Sequence, residues 1–172
     1  SMDADEQVLF DVNEFAEGHD YFYMRWPAVT PDSGVAAFAF DDFGRRKYTI
    51  KFKDLTTGEI LDEAIELVSG NMVWAEDSRT LFYTRKHPTT LRSYQIWRHE
   101  LGTDPDTDVL AFEETDDTFS CWVSKTKSEE FIVIESGHTL RTEIRFLDAD
   151  DPTGEFTVFL EREGEHEYSL DH

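Results

Sequence analysis

Cysteine is nearly absent. Cys121 is the sole one in 172 residues, so no disulfide can form within the chain and no disulfide framework argues for export. Long apolar runs are absent too. No stretch approaches the roughly 18 to 20 apolar residues of a membrane helix, and no charged lead into an apolar segment with a cleavage site opens the chain. These absences point to a cytoplasmic protein. Positive charge is scarce, with 16 Lys and Arg against 38 Asp and Glu, a formal net charge of −22 that repels nucleic acid and anionic membrane and attracts cationic ligands. The acids are dispersed rather than blocked, which is also what a plain solvated acidic surface looks like. Catalytic signatures are missing as well: the sequence has no Gly-x-Ser-x-Gly elbow, Walker loop, dinucleotide fingerprint or His-Glu-x-x-His.

Weaker constellations do not survive their own chemistry. Cys121 lies in the apolar run Phe119–Val123, where a thiol is buried and inert rather than nucleophilic. His166 and His172, with Glu167 and Asp171, sit on one extended segment that cannot close a tetrahedral metal site. Asp104, Asp106 and Asp108 imitate a calcium loop, but Val109 replaces its glycine and Thr115 its bidentate glutamate, so a solvated turn is expected. Asp116-Asp117 and Asp150-Asp151 are neighbours in sequence, which does not make the cleft a glycosidase needs. No catalytic residue, cofactor or metal is assigned.

The apolar content, 39% of residues with 14% aromatic, is ample for a core. Segments rich in Val, Ile, Phe, Tyr and Trp recur between turn signals, so the fold is all-β. The exception is residues 11–18, where Asp11 as cap, Glu14 three residues on and Gly18 as terminator predict a short helix. Aligned with itself, the chain yields three copies of a four-strand unit at the period of propeller blades, about 40 to 50 residues. The strands of the first copy are Trp26–Val29, Val35–Phe40, Tyr48–Leu55 and Ile60–Ile65; those of the second are Met72–Trp74, Thr80–Thr84, Tyr94–Leu101 and Val109–Glu113; those of the third are Ser120–Val123, Phe131–Glu135, Glu143–Leu147 and Phe156–Leu160. A partial β-propeller of antiparallel blades is therefore expected. Residues 1–2 read as a cloning remnant, 3–25 as a lead-in, 26–68, 69–117 and 118–165 as three blades, and 166–172 as the first strand of a fourth. About three blades cannot close a ring, so exposed edges are expected to pair with further blades or to self-associate. The loop before each third strand ends in Arg46, Arg92 or Arg141, which places the three at one end of the blades. Each either caps a strand start or pairs with a local acid, or the set docks a second domain or a peptide terminus.

Specific words of the sequence resemble a known family. Asp11-Val12-Asn13, Gly18-His19-Asp20-Tyr21-Phe22 and Gly44-Arg45-Arg46-Lys47-Tyr48-Thr49-Ile50 are similar to the start of the propeller in oligopeptidase B (protease II), of the prolyl oligopeptidase family. Arg85-Lys86-His87-Pro88-Thr89-Thr90-Leu91, Tyr94–His99, Leu101-Gly102-Thr103, Glu113–Phe119, Leu147-Asp148-Ala149 and His166–His172 extend the resemblance over nearly the whole chain. The resemblance implies a serine endopeptidase that cuts short peptides after Arg or Lys, often at dibasic sites, with a Ser-Asp-His triad on an α/β-hydrolase domain. That domain, its triad and the remaining blades lie outside these residues. The propeller, of about seven blades, is implied to filter substrates by size. A non-catalytic propeller that binds a protein partner is the alternative.

Overall fold

Asp11 starts the first element by accepting the Asn13 amide at 2.9 Å, which caps α1 (Val12–Ala16) in the computed structural model, where residues 8–172 are described. Gly18, at φ +82°, lets the chain leave the helix. The helix and its flanks carry Phe10, Phe15 and Phe22, whose rings pack on Phe38 and Phe40 at centroid separations of 5.0 to 5.6 Å. The lead-in thus covers one face of the first unit.

Strands β1 (Tyr23–Met24) and β2 (Ala28–Val29) both pair with β3 (Val35–Asp41), interrupted at Pro27, which has no amide for the ladder. β4 (Tyr48–Asp54), β5 (Ile60–Trp74), β6 (Thr80–Lys86), β7 (Ser93–Glu100) and β8 (Val109–Glu113) follow in antiparallel succession. β9 (Ser120–Lys125), β10 (Phe131–His138), β11 (Arg141–Asp148) and β12 (Thr157–Leu160) form a separate four-stranded sheet. No helix among the described residues is long and apolar enough to cross a membrane.

The period-2 rule explains how the units stack. Leu81 and Tyr83 point into one core with Ala37, Ile50, Phe52 and Ile65 of the first unit. Phe82, between them in sequence, points the other way into a second core with Cys121, Val123, Ile132 and Ile134 of the third. Each fully buried Leu, Ile or Phe contributes about 1.5–3 kcal/mol, against about 1 kcal/mol net for a hydrogen bond, so face-to-face packing outweighs the ladders and turns. Cys121 is fully buried, and burial, with Glu114 adding to it, pushes its thiol up to about 12.

Two details depart from the sequence reading. Ile60–Ile65 and Met72–Trp74, read as separate strands, are the two ends of the single strand β5; the first part pairs with β4 and the last with β6, so the first two units share one eight-stranded sheet. Leu67 and Gly70, at φ +60° and +76°, turn the backbone there without breaking it out of the sheet. Residues 166–172, expected as the first strand of a fourth unit, pair with no strand among the described residues and lie back on the third unit. The Thr142 amide donates to the His166 carbonyl at 3.0 Å, and the Ser128 amide to the His172 carbonyl at 3.0 Å.

At Gly70 an added Cβ would stand 2.9 Å from the Arg25 Cγ and 3.3 Å from the Tyr48 ring, in a left-handed backbone. Gly70→Ala is expected to lower unfolding free energy by about 1–3 kcal/mol, measured by urea denaturation. Gly102→Ala, also left-handed but with nothing within 4 Å, should cost no more than the backbone strain alone.

Candidate functional site

The loops that connect β3 to β4, β6 to β7 and β10 to β11 gather at one end of the units. Asp41, 1% exposed, organises the first by accepting the amides of Phe43, Gly44 and Arg46 at 3.0, 2.9 and 2.7 Å. With its backbone so held, the loop presents Arg45, Arg46, Lys47 and a 77% exposed Phe43 to solvent. Lys86 donates from Nζ to the Arg46 carbonyl at 2.6 Å and ties this loop to the next. There His87 Nδ1 accepts the Thr89 and Thr90 amides. Phe43, Arg45, Lys47, Pro88, Thr89 and Leu91 line a groove of about 350 Å³ between the two loops.

The three arginines at equivalent places in the repeat have different surroundings. Arg92 turns inward, donating to the carbonyls of Phe119 (2.7 Å), Asp116 (3.1 Å) and Glu114 (3.3 Å) and to the Asp117 carboxylate (3.2 Å), with its guanidinium 5.5 Å from the Tyr94 ring. It clamps the linker from β8 to β9, and so the second unit to the third. Arg46 and Arg141 are exposed, and among the described residues their side chains meet no hydrogen-bond or ion-pair partner. The groove is lined by the residues flanking Arg46 rather than by Arg46 itself. The run of three basic residues was visible in the sequence; its pairing with Pro88 and Leu91 was not.

A second opening, of about 900 Å³, runs between the lead-in at Val8–Phe10, the inner strand at Tyr23–Pro27, and Gly70–Met72. Trp26 stands at its wall, 94% exposed. Beneath it the inner strands of successive units are joined by side chains. Trp74 Nε1 donates to the Ala28 carbonyl at 2.9 Å. The Asn71 amide acts as a surrogate peptide for Val123, donating to its carbonyl and accepting its amide, both at 2.7 Å, while Thr84 Oγ1 donates to the same Asn71 oxygen.

Two buried polar clusters have catalytic composition and structural surroundings. His99, fully buried, bonds Asp108 through Nδ1 at 2.6 Å and Glu63 through Nε2. Tyr83 donates to the other Asp108 oxygen at 2.8 Å, Arg85 donates to the Tyr83 hydroxyl at 3.1 Å, and the Gly102 amide donates to Glu63 at 3.0 Å. Both imidazole nitrogens are occupied by carboxylates, so the ring has no free face for a substrate proton. Burial pulls its pKa down, but Asp108 and then Glu63 outweigh burial and hold it above the ordinary value, so the charged form is favoured where the ring bridges the first and second units. Glu114, 3% exposed, accepts from Ser136 and Arg162, with the Arg162 guanidinium 4.0 Å from the Phe119 ring. Burial raises its pKa, and Arg162 and Ser136 overcome that to hold the carboxyl low. Among the described residues no group of His, Cys, Asp and Glu is arranged to hold a metal ion.

The His99 bridge fixes a sign. A folded pKa above the unfolded one means the native state binds more protons, so the bridge stabilises fully below the unfolded value of about 6.5 and its contribution is lost as pH rises through the folded value. Melting temperature is therefore expected to fall on going from pH 6 into the alkaline range. His99→Gln should flatten that dependence and, by stranding Glu63 and Asp108, cost about 3–5 kcal/mol at pH 6.

Comparison with known proteins agrees with this architecture. The model of the prolyl oligopeptidase N-terminal beta-propeller domain matches residues 1–172. The dipeptidyl aminopeptidase BI of Pseudoxanthomonas mexicana is 43% identical over 169 residues, which are 98% of this chain and 23% of that protein. Protease 2 of Moraxella lacunata is 37% identical over 173 residues, 99% of this chain and 25% of that protein. Oligopeptidase B from Leishmania major superposes with a TM-score of 0.90 at 28% identity, over 96% of this chain and 23% of that one. Its counterpart from Trypanosoma brucei, closed with covalently bound antipain, gives 0.86 at 23% identity, over the same shares, and speaks for the fold alone. The chain spans about a quarter of the length of the curated relatives it matches. It belongs to the prolyl oligopeptidase family, as an oligopeptidase B-like portion of the N-terminal β-propeller domain.

Proposed function

We propose that the chain is the gating portion of a cytoplasmic serine endopeptidase that hydrolyses short peptides after Arg or Lys, with the triad on a catalytic domain elsewhere in a longer polypeptide. The observation that carries this reading is the match of the whole chain to oligopeptidase B in both sequence and fold. The structure suits a gate. Units packed face to face, with inner strands stitched by Trp74 and Asn71, make a stiff wall that admits an unfolded peptide and excludes a folded protein. A net charge of −22 favours cationic peptides through long-range attraction. The chain alone holds no reacting group and is inactive in this reading.

The identity of 43% with a dipeptidyl aminopeptidase supports a second reading, in which the same wall serves an enzyme that removes dipeptides from a free amino terminus. The longer polypeptide and the 172-residue chain should be assayed side by side on a fluorogenic Arg-Arg reporter, amino-blocked or free, with and without a serine-reactive phosphonate. Cleavage of the blocked reporter by the longer protein alone, abolished by phosphonate and weakened by salt, is the expected result. Cleavage of the free-amine reporter only would favour the dipeptidyl reading. No cleavage of either would overturn both and leave a binding module.

A further inference from the structure

We propose that the groove between the β3–β4 and β6–β7 loops docks an acidic segment bearing an apolar side chain, contributed by another part of the same longer polypeptide. This rests on the reading that the chain belongs to such a polypeptide, whose relatives are about four times as long.

The charge distribution comes first. On a chain of net −22, Arg45, Arg46 and Lys47 are consecutive and exposed at this end, with Lys86 beside them. Of the two neighbouring acids, Asp41 is buried under three backbone amides, while Asp42 stays exposed beside His19. Burial first, and then the Arg46 charge, lower the Lys86 pKa against the opposing pull of Asp41. The opposite ends of the same strands carry exposed Glu59, Asp104, Asp106, Asp150 and Asp151, mixed there with Arg79 and Lys127. The groove itself is thus a local cationic patch on an otherwise acidic molecule. A cationic peptide is repelled by Arg45 and Lys47 on the groove wall, so the groove is not a site for basic substrate.

Shape and apolar surface come second. Phe43 is 77% exposed beside Pro88 and Leu91, with the Arg45 guanidinium 5.9 Å from its ring, so an apolar floor is rimmed by cations. The Asp41 cradle, the Lys86 bond to the Arg46 carbonyl and the His87 turn fix both loops in advance, which lowers the entropy lost on docking. Acidic side chains on the rim with one apolar side chain against Phe43 complement this surface in charge and in kind. A second copy of the chain complements it poorly, because each copy carries −22.

The test uses overlapping peptides covering the longer polypeptide outside these 172 residues, probed with the chain and then titrated by fluorescence anisotropy. A peptide rich in Asp and Glu with an apolar residue is expected to bind. Its affinity should fall about tenfold or more from low to high salt, and by about as much in Arg45→Glu/Lys47→Glu, with unchanged circular dichroism. Phe43→Ala should weaken it about fivefold or more, and Arg79→Glu, at the other end, should leave it unchanged. Absence of any binding peptide, selection of neutral or basic ones, or undiminished binding by the double charge reversal would overturn the proposal. Arg45→Gln/Lys47→Gln supplies the same comparison if the reversal disturbs the fold. Because the readout is binding, its failure leaves the peptidase assay intact, and failure of that assay leaves the groove intact.

Discussion

A sheet that is apolar on both faces must be covered on both, and that requirement governs this molecule. In β6, Leu81 and Tyr83 face one neighbour and Phe82 the other, all fully buried. The first unit meets the same demand differently: its far face is covered by Phe10, Phe15 and Phe22 of the lead-in rather than by a four-stranded sheet. Stacking also draws the inner strands together side by side, where their free edges carry unpaired backbone groups. Asn71 and Trp74 satisfy those edges from the adjacent strand, and Arg92 satisfies the carbonyls of the linker behind them.

These bonds separate the parts that hold the fold from the parts left to act. Charged groups that resemble chemistry, the His99 bridge and the Glu114 cluster, are buried at junctions between units and spend their polarity on each other. What remains open is surface: the opening beside Trp26 and the basic groove beside Phe43. A wall with a cationic, aromatic notch fits the proposal that this domain works against further parts of a longer polypeptide.

Strand positions were legible because alternation is a local signal. Tyr48, Ile50 and Phe52 alternate with Lys51 and Lys53, and the turns at Thr30–Gly34 and Asp54–Glu59 carry their own chemistry. The short helix was equally legible from Asp11 and Gly18. The continuity of β5 was not, since a leucine at φ +60° gives no warning in sequence. Arg46, Arg92 and Arg141 occupy equivalent places in the repeat, yet only Arg92 has carbonyls within reach, and those come from residues more than twenty positions away. His99 escaped notice in part for the same reason: Asp108 lies nine positions on in the same unit, but Glu63 reaches it only after two units stack.

Asn71 is where the claim that inner-strand stitches add to the packing of the stack is most exposed to test. Native-state hydrogen exchange should be followed at the Val123 amide in the original chain and in Asn71→Ala. The change removes the acceptor of that amide and the donor to its carbonyl, so Val123 and its neighbours in β9 are expected to lose protection corresponding to about 2–4 kcal/mol, while β4 in the first unit keeps its own. Undiminished protection at Val123 would contradict the account and leave apolar packing alone to hold the units together.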